Sequence, residues 1–127
     1  EWPTQYGGGG LSPQQARVLK EEMKSLHART PLFGIGLWML GPAVLEYGNE
    51  AQKQKYLPRL CSGEHIGALA MSEANAGSDV VSMTLQAKRE GDHYILNGTK
   101  QFITNGGIAS LFTIFAKIDK VHFTAFW

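Results

Sequence analysis

Cysteine is nearly absent, with Cys61 the single one in 127 residues. One thiol makes no internal disulfide, and Cys61 has no companions at metal-ligand spacing, so a disulfide scaffold is excluded. A surplus of either charge is also missing: 12 basic residues face 11 acidic ones, for a formal net charge of +1. Nucleic-acid binding depends on a clustered basic surface. The densest basic concentration, Lys53, Lys55 and Arg59, runs along a predicted helix among glutamines and reads as a solvated face. No nucleic-acid partner is expected. No run approaches the ~20 apolar residues of a membrane span. The stretch from Leu32 to Leu45 is short and broken by Gly34, Gly36, Gly41 and Pro42. His27, His65, His93 and His122 share no metal-binding spacing, so no metal site is expected.

What is present is a globular composition, 43% hydrophobic and 18% charged, long enough to build a core. Glycine is the outlier, with 15 residues. That is about 12% of the chain against roughly 7% in average usage. The sequence opens on Glu1 rather than Met and stops at Trp127 inside the apolar stretch 121–127. An unpaired hydrophobic run leaves an exposed strand edge, so the chain is expected to be a piece of something longer.

The first half has helical period. Ser12 reads as an N-cap, with Pro13 at the first helical position and Gln15 completing a capping box. Ala16, Leu19, Met23 and Leu26 then form one apolar stripe predicted to face a core. A second helix is predicted from about Phe33 to Tyr47, closely packed or kinked near Gly41-Pro42 and ended by Gly48. Asn49 starts a third, with Gln52 as its capping-box partner and Tyr56 and Leu60 facing inward. Pro58 and the segment Cys61-Ser62-Gly63-Glu64 are expected to close it.

Near Gly63-Glu64 the period changes from 3.6 to 2. Residues 66–71 form a compact apolar run suited to a buried strand, and Met83, Leu85 and Ala87 alternate with polar residues as a half-buried one. Glu90-Gly91-Asp92 reads as a turn into the strand 93–96. Asn97-Gly98 predicts a hairpin into a strand over 99–104. Another turn follows at Asn105-Gly106-Gly107, then strands over 111–118 and from Val121 onward. The expected class is α+β, with helices over 1–63 followed over 64–127 by an antiparallel meander of barrel or sandwich type.

One loop stands out from the scaffold: Met71-Ser72-Glu73-Ala74-Asn75-Ala76-Gly77-Ser78-Asp79. Small side chains let a ligand approach backbone N–H groups, and such loops favour phosphates or polar ring edges. The same composition also suits an ordinary connection stabilised by Asp and Asn turn bonds.

The stretch Ala70 to Ser82 resembles the acyl-CoA dehydrogenase signature, in which Ser or Thr precedes Glu and Gly-Ser-Asp or Gly-Thr-Asp follows. Gly48 to Pro58 resembles that family's helix before its β-domain. Asn97 to Gly106 resembles its second flavin-contacting segment, and the opening Pro3 to Gly10 also fits. Similarity is closest to general bacterial and mitochondrial members, including isovaleryl-CoA-type enzymes around Asn49 to Gly98.

The resemblance implies a helical domain, a middle β-domain and a second helical domain, assembled as a homotetramer with FAD. Residues 1–63 would be the C-terminal part of the first domain and 64–127 the N-terminal part of the second. Leu69, Ala70, Met71, Ser72, Gly77 and Ser78 would then line the FAD, with Ser72 offering its hydroxyl to the flavin and Ser78 touching cofactor or the CoA of an acyl-CoA substrate. Phe102, Ile103 and Thr104 would form a second wall, Phe102 flanking the flavin where many members carry Trp; by position alone a strand aromatic is more often a core residue. Ala74 stands where proline is common, which predicts a more mobile loop. The implied reaction removes an acidic α-proton with a carboxylate while the β-hydrogen leaves as hydride to flavin. The family's base comes from the later helical domain, so no catalytic residue is expected here, and Glu73 and Asp79 are expected to brace the loop. An electron-transferring flavoprotein is the implied acceptor, and the bacterial cytoplasm or mitochondrial matrix the implied location. Alternatives on the same fold are an acyl-CoA oxidase, a nitroalkane oxidase, a flavin monooxygenase, or a non-catalytic flavin- or acyl-CoA-binding module.

Overall fold

Helix α1 (Pro13–Ser25) begins where its capping box places it. Ser12 Oγ accepts from the Gln15 backbone N–H at 3.2 Å, and Gln15 Oε1 accepts from the Ser12 N–H at 2.9 Å, so two orphan donors of the first turn are satisfied. The computed structural model describes residues 1–31 and 33–127, and Leu32, which opens the apolar run noted above, lies outside the described residues. The chain divides into two units, Glu1–His65 and Ile66–Trp127.

In the first unit the predicted core stripe of α1 is not covered. Leu19 is 50% and Leu26 75% exposed, and no residue of α1 is buried. Periodicity specifies which face is apolar; it does not supply the partner that covers it.

The second predicted helix is two pieces. A π turn spans Gly36–Leu40 and continues into α2 (Gly41–Tyr47). Pro42 has no N–H to offer, and its ring crowds the carbonyl four residues back; the widened turn, with Gly41 N–H donating to Gly36 O, accommodates it. Gly41 is also where the indole of Trp2 packs, and a Cβ there would overlap that ring. Leu40 and Val44 are fully buried. Gly48 ends α2 in extended conformation.

Asn49 caps α3 (Glu50–Ser62) by the same reciprocal pair with Gln52, both bonds at 2.9 Å. Pro58 lies inside this helix rather than closing it, and the chain leaves at Gly63 with φ 79°. A proline inside a helix costs about 3 kcal/mol. Burying Leu57 and Leu60, at 0% and 3% exposure, offsets that, at roughly 1.5–3 kcal/mol each. Leu57, not the half-buried Tyr56, accompanies Leu60 inward. Tyr6, buried at the end of the 3-10 turn Thr4–Tyr6, donates its hydroxyl to Glu50 Oε2 at 2.9 Å.

The second unit holds β1 (Gly67–Ala70), β2 (Gln86–Glu90), β3 (His93–Asn97), β4 (Leu111–Lys117) and β5 (Phe123–Phe126), ordered β1-β4-β2-β3 with β5 on β4. The α+β class is as expected. The sheet, however, is mixed rather than an antiparallel meander. β1 runs parallel to β4, with Gly67 opposite Leu111 and Ala70 opposite Ile114, and β2 meets β4 in parallel at Gln86–Lys117. Only β2–β3 and β4–β5 are antiparallel. The hairpin turn is Gly91-Asp92, between Glu90 and His93. Asn97-Gly98 makes no hairpin: Gly98 has φ 147°, and a Cβ there would stand 2.9 Å from Leu85 Cα. Close approach to Leu85 is what the glycine serves, and 99–104 is irregular rather than a strand. Met83, Leu85 and Ala87 are buried as their alternation requires, the last two in a core with Ala116.

Truncating Leu57 to Ala should lower the unfolding free energy by about 2–5 kcal/mol, because a fully buried leucine leaves a cavity. Asn49→Ala should cost only about 1 kcal/mol, the worth of a lost cap. Urea unfolding followed by far-ultraviolet circular dichroism measures both, and equal losses would contradict this account.

Candidate functional site

The loop after β1 closes on itself immediately. Glu73 N–H donates to Ala76 O at 3.0 Å and Ala76 N–H returns to Glu73 O at 3.2 Å. This turn is held by backbone alone, so its closure does not depend on the side chain at position 74. Ser72, just before it, is half-buried; Gly77 and Ser78, just after, are exposed. Asp79 then accepts from the Ser82 hydroxyl across the 3-10 turn Val80–Ser82.

The Glu73 side chain turns inward and is 6% exposed. Its Oε2 accepts from Thr84 N–H and Thr84 Oγ1 at 2.6 and 2.7 Å, and its Oε1 from Leu85 N–H at 3.0 Å. Oε1 also accepts from Lys100 Nζ at 2.9 Å. Lys100, whose side chain is 7% exposed, spends a second N–H on Met71 O at 2.9 Å and points a third at Met83 Sδ at 3.9 Å. Burial alone would raise the Glu73 carboxyl, but the Lys100 ammonium and the Thr84 and Leu85 donors outweigh it and hold the group at about 2.

The residue after Lys100 adds a second tie, with Gln101 N–H donating to Ser72 O at 3.0 Å. Consecutive residues of 99–104 thus hold consecutive residues of 71–73. Phe102 follows with φ 56° and 90% of its surface exposed, so it takes no part in the core formed by residues 66–127. Asn105, at φ 66°, reverses the chain and donates its Nδ2 to Gly67 O on β1 at 3.2 Å. Beside these segments lies an open groove of about 520 Å³, lined by Ala70, Leu85, Leu96, Gly98, Phe112 and Ile114 and by Lys100, Gln101, Phe102, Ile103 and Gly106.

The sequence description "Acyl-CoA dehydrogenase, N-terminal domain" matches residues 1–64, and "Acyl-CoA dehydrogenase, middle domain" matches 68–126. The chain belongs to the acyl-CoA dehydrogenase family. It is similar to mitochondrial isovaleryl-CoA dehydrogenase of Bos taurus, with 50% identity over 118 residues covering 92% of this chain and 28% of that protein. Among solved structures it is similar to an acyl-CoA dehydrogenase from Geobacillus kaustophilus, at 37% identity and TM-score 0.78, covering 98% of this chain and 34% of that one. A glutaryl-CoA dehydrogenase from Mycobacterium smegmatis in complex with FADH2 is similar at 39% identity and TM-score 0.65, covering 68% of this chain and 22% of that one. The chain thus spans about 28% of the length of the cattle relative.

In this acyl-CoA dehydrogenase segment the residues singled out from sequence fall into three groups. Ala70, Phe102 and Ile103 line the groove. Met71 and Ser72 sit beside it, tied through their carbonyls to Lys100 and Gln101. Leu69, on β1, and Gly77, Ser78 and Thr104 do not line it. Glu73 and Asp79 are engaged in internal hydrogen bonds, as expected of bracing groups. Lys100 was legible only as one letter of the second motif. Its signal is a lone cation at 99–106 matched to a lone anion at 71–76, a pair that only the fold brings within reach.

Because folding holds Glu73 below its ordinary value, its contribution to stability is complete above about pH 4.5 and is lost as pH falls toward 2. Glu73→Gln should therefore cost about 3 kcal/mol near neutral pH, since it leaves the Lys100 ammonium buried and unpaired, and should flatten the acid limb. Urea unfolding across a pH series reads both effects; an unchanged acid limb in the variant would contradict the assignment.

Proposed function

We propose that this chain is the flavin-facing part of an FAD-dependent acyl-CoA dehydrogenase, which oxidises an acyl-CoA to its trans-2-enoyl-CoA. One observation carries the reading: the two motif segments, 71–73 and 99–104, are tied side by side along a single groove. Residues 1–63 are then the C-terminal part of the N-terminal helical domain and 64–127 the N-terminal part of the middle β-domain.

The residues fit an aromatic, polar-edged cofactor. Ala70, Ile103, Phe112 and Ile114 give the groove an apolar lining, while Lys100 and Gln101 add polar groups. Phe102 presents its ring instead of burying it. A Cβ on Gly77 would meet nothing within 4 Å, so this chain's own packing does not demand glycine there, and its backbone is open to close approach by a ligand. FAD, when bound, supplies the acceptor for the β-hydride. In this reading Leu69, Ala70 and Met71 face the ring edge, Ser72 offers its hydroxyl to a polar ring atom, and Phe102, Ile103 and Thr104 form the opposite wall. Gly77 and Ser78 border the cofactor, with Ser78 also reaching the CoA of the substrate.

Glu73 is not free to take the α-proton, and Asp79 is exposed and engaged with Ser82 in its own turn. Glu73 is ionised and fully engaged, which suits a brace and not a base. In this reading the base comes from the later helical domain, outside residues 1–127. The isovaleryl-CoA relatives make short, branched acyl-CoA thioesters the first substrates to test. An electron-transferring flavoprotein as acceptor, a homotetramer, and the mitochondrial matrix or bacterial cytoplasm as location complete the proposal. Among the described residues no helix is long and apolar enough to cross a membrane.

The enzyme that carries this segment should purify yellow and reduce an electron-transferring acceptor when given an acyl-CoA. Colourless protein, with no bleaching of added FAD by any acyl-CoA from short to long chain, would overturn the reading. Residues 1–127 alone should bind FAD weakly, since they lack the later helices; tight stoichiometric binding in titration calorimetry would contradict that division of labour.

A further inference from the structure

We propose that the buried Lys100–Glu73 pair is a positioning device that fixes how Ser72 and the Phe102–Thr104 segment face each other across the flavin site. The inference rests on the flavin reading above and adds a role for Glu73, which does not line the groove, and for the Lys100 ammonium, whose donors are directed at Met71, Glu73 and Met83. Burying an ion pair gains little over burying apolar residues of the same size, because desolvation takes back most of the attraction. A pair at 7% and 6% exposure is therefore poorly explained by stability alone. Its geometry explains it better.

Lys100 reaches backward to Met71 O, and the next peptide reaches to Ser72 O, at 2.9 and 3.0 Å. These two ties set the spacing between the segments. Glu73 fixes the ammonium in place and is itself fixed by Thr84 and Leu85, at the entry to β2. The frame thus runs from the sheet, through one carboxylate and one ammonium, to both loops. Phe102 follows directly after Gln101 in the left-handed region, a conformation unfavourable for a non-glycine residue that persists only where its surroundings over-determine it. A point cation with three tetrahedral donors can meet the Met71 carbonyl and the Glu73 carboxylate at once; an apolar side chain of equal volume cannot.

The test uses the full-length enzyme in two forms, Lys100→Met and the double variant Lys100→Met with Glu73→Gln. Wild-type FAD binding is measured first, and its absence would fail the flavin reading itself rather than this one. Three properties are then read: the urea midpoint, the FAD dissociation constant and the visible circular dichroism of bound flavin. Lys100→Met should lose both stability and FAD affinity, because it strands the Glu73 carboxylate. The double variant removes that stranded charge and should regain most of the urea midpoint. It should still bind FAD at least about tenfold more weakly, the usual scale for losing an outer-shell support, with an altered visible band. Wild-type affinity and band shape in the double variant would overturn the proposal. So would affinity that simply follows the urea midpoint in both variants, including joint loss if neither folds.

Discussion

The second unit depends on one buried charge pair. Lys100 and Glu73 lie 27 residues apart in sequence, and at 2.9 Å they join three stretches that lie outside the strands: 71–73, 83–85 and 99–101. The ladder between β1 and β4 stops at Ala70 and Ile114, where β1 ends. Past that point the loops are ordered by polar contacts. Removing either partner would leave an uncompensated charge in a dry place, which is far worse than never having buried the pair. The carboxylate tolerates this burial because every approach to it is a donor, and those donors, not water, set its protonation.

The helical unit is held differently. Leu40, Val44 and Leu57 are fully buried, and the side-chain polar contacts beyond the capping boxes and the Tyr6–Glu50 bond are exposed. Such packing is non-directional; it fixes proximity without fixing the facing of individual groups. A site that must present particular hydroxyls and a ring in set orientations calls for directional contacts, and those are concentrated in the second unit. Irregular segments carried on a rigid sheet are the usual place for such groups.

What could be read from sequence follows the range of the interaction. Both capping boxes were legible, because a cap is decided within four residues. So was the burial alternation of Met83, Leu85 and Ala87. Pro58 and Asn97-Gly98 misled for a common reason. Each carries a strong local preference, for a helix end and a hairpin, that a distant packing contact overrides: Leu57 and Leu60 in one case, Leu85 against Gly98 in the other. The meander failed because strand order is a choice of partner, and β1 passes over its neighbours in sequence to pair with β4. The motif residues were named, but the means of joining them was not, since a lysine and a glutamate in separate loops carry no local mark of their pairing.

Phe102 shows most directly what the fold by itself does not account for. Its ring is 90% exposed, forgoing the roughly 1.5–3 kcal/mol that burying a phenylalanine contributes. Its backbone sits at φ 56°, which adds roughly another 1–2 kcal/mol against a non-glycine residue. Asparagine tolerates that conformation better, as Asn105 three residues on illustrates, and a polar side chain would lose little by exposure at 102. Folding stability would therefore select a small polar residue at 102. Both costs fall on one side chain, and that side chain lines the groove between the motif segments. The gain that offsets them must come from whatever covers the ring, and the flavin proposed above, a flat aromatic group, would supply such a contact.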